Sequence, residues 1–142
     1  MFPKSHIFIF ILVGSLGLVA GQRRQTVGVR GQVMCNGRPM SGVQVKLWDE
    51  DTGPDPDDLM SQGNTDMNGR FQLSGTESEM TNIDPRLKIY HTCDLGINPC
   101  KRKLTFTIPS QYISTNGNVQ QWFDLGVLNL NTKFSDESRE CF

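Results

Sequence analysis

From Thr26 to Cys35 the chain alternates: Val27, Val29, Val33 and Cys35 fall on one side, polar Arg30 and Gln32 on the other. That period of two belongs to a strand wetted on one face. The same alternation returns in Val43, Val45 and Leu47 against Gln44 and Lys46. Between them Asn36-Gly37 supplies a backbone suited to positive φ, which predicts a tight turn without fixing its type, since Arg38-Pro39 follows. Asn68-Gly69 sits just before Phe71-Gln72-Leu73, a two-residue hairpin signal. Three strands before the midpoint define one layer of a β-sandwich rather than an enzyme core.

The second half continues the pattern. Leu87 and Ile89, then Leu104, Phe106 and Ile108, are expected to face inward along two further strands, and Pro109 ends the latter. Residues 110–121 are polar and read as a loop. Trp122 to Leu130 has apolar residues on both sides of the alternation, with Gly126 where a bulge would swap the faces. Short helical turns are expected at Thr76, capped reciprocally by Glu79, and at Asp55-Pro56. The expectation is an all-β, seven-stranded, two-sheet sandwich with one or two short helical turns.

Residues 1–20 carry one cation, Lys4, then an apolar stretch from Ile7 to Val13 continued by Leu16, Leu18, Val19 and Ala20. It is shorter than the roughly 20 residues of a spanning helix and ends in small residues, so it reads as a secretory signal peptide. No transmembrane segment is expected. The remainder, residues 22–142, has the size of one domain with one core. Without Lys4 it holds 13 Lys plus Arg against 15 Asp plus Glu. An acidic excess supplies no electrostatic draw toward phosphate, which argues against a nucleic-acid partner.

Four cysteines, Cys35, Cys93, Cys100 and Cys141, remain in a chain routed to an oxidising compartment, so two disulfides are expected. Four cysteines allow three pairings. Cys93 and Cys100 bracket a turn-rich link, which favours Cys93 with Cys100 and leaves Cys35 with Cys141. The latter would close a loop of about a hundred residues, ~4.7 kcal/mol in the chain-entropy model. A zinc site fails on spacing, because no pair is C-x2-C and His91 is the one histidine after the leader.

Longer motifs identify a relationship. Cys35-Asn36-Gly37, the run from Val45-Lys46-Leu47-Trp48-Asp49 to Leu59-Met60, and Thr65-Asp66-Met67-Asn68-Gly69-Arg70-Phe71 closely resemble the nematode transthyretin-like family. So do Ile83-Asp84-Pro85, Leu87 to Cys93, Pro99-Cys100, Lys101-Arg102-Lys103, Ile108-Pro109, Tyr112-Ile113 and Cys141. The resemblance implies a secreted, prealbumin-like Greek-key sandwich. It implies little about a ligand, since fold alone does not carry function. Hydroxyisourate hydrolases of the wider fold use several histidines and a C-terminal Tyr-Arg-Gly-Ser motif; this chain ends Ser138-Arg139-Glu140-Cys141-Phe142 and has neither.

Asp49, Glu50, Asp51, Asp55, Asp57 and Asp58 invite a calcium reading, but the spacing does not fit an EF-hand and helix capping accounts for three of the acids. Neither metal nor cofactor is expected. His91 shares the face of Leu87 and Ile89, which makes it a part-buried structural histidine, and no Gly-x-Ser-x-Gly elbow presents a nucleophile. Arg86, Lys88, Lys101, Arg102 and Lys103 form a candidate basic patch, with Trp48 and Tyr90 on the outward faces of their strands. Edge lysines that block unwanted strand pairing account for the same cations.

These features point to a secreted, non-enzymatic interaction protein that contacts an extracellular protein or an anionic lipid surface, at a cell surface or in a host. The alternative is a carrier of a small apolar ligand. A degenerate hydrolase comes last.

Overall fold

β1 (Arg23–Cys35) is the strand around which the first sheet forms. It pairs antiparallel with β5 (Arg70–Glu79) over residues 23–32, and parallel with β8 (Phe123–Asn129) over residues 29–34. The short β2 (Arg38–Pro39) closes a hairpin on its end. The second sheet is antiparallel throughout, in the order β4 (Asp58–Asn64), β3 (Gln44–Asp49), β6 (Pro85–His91), β7 (Lys101–Thr107) and β9 (Ser138–Glu140). The computed structural model describes residues 22–50 and 56–142; the expected signal peptide and Asp55 lie outside these.

The inward positions read from the alternation are the ones that meet between the sheets. Val27, Val29 and Val33 of β1 pack with Val45 and Leu47 of β3, Leu87 and Ile89 of β6 and Leu104 of β7 in one cluster, all at 1% exposure or less. Cys35 and Phe106 are partly buried against it. At Asn36-Gly37 both residues take positive φ, 53° and 76°, which is the type I′ geometry that suits hairpin twist. Gly126 also has positive φ, and the β1–β8 register shifts beside it, so the bulge falls where the glycine suggested.

Three expectations are corrected. Among the described residues nine strands form instead of seven, because β4 and β9 are polar segments whose apolar content is too low to signal a strand. Thr76 to Glu79 continues β5 instead of opening a helical turn, its ladder partners being Arg23 to Thr26, and Asp58 starts a strand. Finally, the turn ending at Gly69 does not join two strands of one sheet. It carries the chain from β4 in the second sheet to β5 in the first, closed by Gly69 N–H donating to Asp66 O (2.9 Å).

Both disulfides differ from the expected pairing. Cys35 bonds Cys93 and Cys100 bonds Cys141, in place of Cys93–Cys100 and Cys35–Cys141. Cys35 ends β1 and Cys93 lies two residues past β6, so their bond ties one sheet to the other. Lys101 faces Glu140 in the β7–β9 ladder, which brings the residues flanking that pair, Cys100 and Cys141, to a Cα separation of 4.4 Å.

Candidate functional site

Alternation along β3, β6 and β7 puts Lys46, Trp48, Arg86, Lys88, Tyr90 and Lys103 on the outer face of the second sheet. Lys46 and Lys88 are direct cross-strand partners, a placement that costs free energy unless the charges find company. Two aromatic rings and, for Lys88, the Glu50 carboxylate provide it. The Lys46 ammonium stands 5.4 Å from the Tyr90 ring centroid and 6.0 Å from that of Trp48. Lys88 lies 5.6 Å from Trp48, and Lys103 lies 5.8 Å from Tyr90. These are cation–π distances.

Glu50 ion-pairs with Lys88 and, at 3.4 Å, with Arg86, which also meets Asp84 at 3.6 Å. The Lys88 hydrogen bond holds the Glu50 carboxyl below the ordinary range. At the other border Glu140 sits 3.5 Å from Lys103. Burial raises the Tyr90 phenol, with Glu140 and Glu50 adding to the effect. A cleft of about 300 Å³ opens at this border between Lys46, Tyr90, Lys101 and Glu140.

The structure therefore brings together six of the seven patch residues, with Lys101 at the rim. Arg102 is the exception. It points the opposite way from Lys101 and Lys103, is 4% exposed, and is a buried structural residue. Lys46, Glu50 and Glu140 complete the face and were missed. Lys46 was legible, because it sits at an outward position two residues before Trp48.

His91 is 2% exposed, and its Nδ1 accepts the Cys93 N–H (3.1 Å). The neutral ring thus carries its proton on Nε2, which is buried without a hydrogen-bond partner. Burial, reinforced by the nearby Arg102 guanidinium, pushes its pKa down to about 4, while Glu137 pulls weakly the other way. The unfolded chain binds this proton near pH 6.5 and the folded one only near 4. Stability from this group is complete above 6.5 and is lost as pH falls toward 4. We predict a loss on the order of 2–3 kcal/mol between pH 7 and 4.5, measured by urea denaturation. In H91Q that slope should flatten. Glu137, held low by Arg102, begins to lose its own contribution as pH falls into the ordinary carboxylate range, so it overlaps only the acid end of the window, and H91Q separates the two.

A disulfide-bonded, two-sheet all-β sandwich with a decorated outer sheet face is the class that the fold and this site define. A transthyretin-like family model, TTR-52, matches residues 30–109. Among curated relatives, Caenorhabditis elegans transthyretin-like protein 5 is 48% identical over 97% of this chain and 98% of its own length. Transthyretin-like protein 33 from the same organism is 44% identical over 96% and 93%. Transthyretin-like protein 46 is 48% identical over 92% and 73%. The chain belongs to the transthyretin-like family, and the names of these relatives carry no enzymatic activity. Among the described residues, no helix is long and apolar enough to cross a membrane.

Proposed function

We propose that this protein is a secreted, non-enzymatic interaction module that uses the outer face of its second sheet to hold an anionic partner. The observation that carries the reading is the row Lys88, Trp48, Lys46, Tyr90, Lys103, in which ammonium groups are held across aromatic rings on a sheet face. Rings that fix the lysines in advance lower the ordering cost of binding. Trp and Tyr are also the side chains that most often anchor interfaces. The apolar leader and the two disulfides support an extracellular site of action.

An anionic phospholipid surface is the occupant the face fits best, since each lysine near such a surface contributes about 1 kcal/mol. The test is sedimentation with vesicles of mixed phosphatidylserine and phosphatidylcholine against phosphatidylcholine alone. The K46A/K103A variant is expected to bind the anionic vesicles roughly thirty-fold more weakly, about 2 kcal/mol. Binding should also fall in 0.5 M salt, a strongly screened condition. Retention that ignores both salt and the two substitutions would remove this face from consideration.

A further inference from the structure

Asp49, the last residue of β3, lies directly across the ladder from Asp58, the first residue of β4. Glu79, the last residue of β5, reaches the same point from the other sheet, and one carboxylate oxygen from each lies within 4.8 Å of the others. Acidic side chains gather on many surfaces without consequence. Here a second observation separates the group from such a gathering: Asp49 is fully buried, at 0% exposure. Its Oδ1 accepts the Asp84 N–H at 2.8 Å, but Oδ2 is buried with no hydrogen-bond partner. A buried carboxylate oxygen without a donor, beside two more carboxylates, calls for a positive group at that place.

We propose that Asp49, Asp58 and Glu79 hold a calcium ion at this end of the sandwich. The ligand set is all oxygen, which selects a hard cation over zinc or copper. Calcium takes six to eight oxygens at about 2.4 Å in a flexible shell, which tolerates carboxylates contributed by separate strands. Magnesium demands a near-ideal octahedron at about 2.05 Å and gives up its waters reluctantly, which three carboxylates from two sheets serve poorly. The Asp84 N–H fixes the orientation of the Asp49 carboxylate, leaving Oδ2 for the ion. Waters complete the shell. The ion would bind β3 and β4 of one sheet to β5 of the other.

This site differs from the acidic run read in the sequence. Asp49 and Asp58 belong to that run, but Glu79 is supplied from a strand of the opposite sheet. Extracellular modules bind calcium at about 10⁻⁴–10⁻³ M, and an affinity in that range is expected here.

The test uses the oxidised protein, stripped with EDTA and titrated with CaCl2 to 10 mM at pH 7.4 and constant ionic strength. Backbone amide shifts and the thermal midpoint are the readouts. Saturable shifts at residues 49, 58 and 79 and a higher midpoint are expected, with MgCl2 at least tenfold weaker. D58N and E79Q should each weaken calcium at least tenfold while keeping both disulfides. Wild-type spectra unchanged to 10 mM CaCl2 would overturn the proposal. So would an unaltered calcium response in a folded D58N/E79Q protein, and magnesium binding as tightly as calcium would overturn the choice of ion.

Discussion

Replacing Arg102 by alanine is expected to cost about 3–5 kcal/mol of stability, the range for breaking a buried ion pair by removing one partner. All five guanidinium N–H groups are engaged. Nη1 donates to the carbonyls of Cys93 (2.9 Å) and Leu130 (2.8 Å). Nη2 donates to the carbonyl of Thr132 (3.0 Å) and to Glu137 Oε1 (2.6 Å), and Nε donates to Glu137 Oε2 (2.9 Å). One side chain of β7 thus satisfies the segment after β6, the segment after β8 and the approach to β9. R102A strands a Glu137 carboxylate with only 4% of its side chain exposed and leaves three carbonyls without their donor. R102K is expected to recover little, because a single ammonium has three donors and no planar fork. The double variant R102M/E137L should regain part of the loss by removing both charges together. Equilibrium urea denaturation at pH 7 measures all three. A loss under 1 kcal/mol for R102A would mean that the guanidinium network contributes little.

Arg102 also shows where the sequence was legible and where it was not. In β1, β3, β6 and β7 the central inward positions are apolar, so one rule of alternation named the core, while Asp49, His91 and Arg102 take inward positions toward the strand ends. The same rule places Arg102 opposite Lys101 and Lys103. Local charge and periodicity conflict at this point, because three consecutive cations look like a patch while burial of an arginine is uncommon. The polar edge strands β4 and β9 carry too few apolar residues to announce themselves; ladder hydrogen bonds and, for β9, a neighbouring disulfide hold them in place. Trp48 and Tyr90 stand on the outer face of β3 and β6 where alternation places them, with Tyr90 covered to 9% exposure by its neighbours. Glu79 was read as half of a helix cap, and no local signal joins it to Asp49 and Asp58. Their meeting depends on both sheets being assembled, a long-range property that spacing along the chain does not encode.

Loss of the Cys35–Cys93 bond is expected to be comparably severe. Its partners are 58 residues apart, and a loop of that size is worth about 4 kcal/mol in the chain-entropy model, within the 2–5 kcal/mol usual for a native disulfide. Cys93 is also part of the apolar core, at 2% exposure. Cys100–Cys141 closes 41 residues, so its entropic share is similar, but it fastens the three-residue strand β9 at the sheet edge. The two should therefore fail differently. C35A/C93A is expected to lower the global urea midpoint by an amount corresponding to about 4 kcal/mol. C100A/C141A should first free the C-terminal segment, seen as faster cleavage after Arg139 under native conditions. The connectivity itself is read by cleaving the unreduced protein before Asp94, which parts Cys93 from Cys100. Mass mapping should then find Cys35 joined to Cys93 and Cys100 joined to Cys141. A fragment linking Cys93 to Cys100 would contradict both the sheet-to-sheet bond and the packing of Cys93 that makes its loss costly.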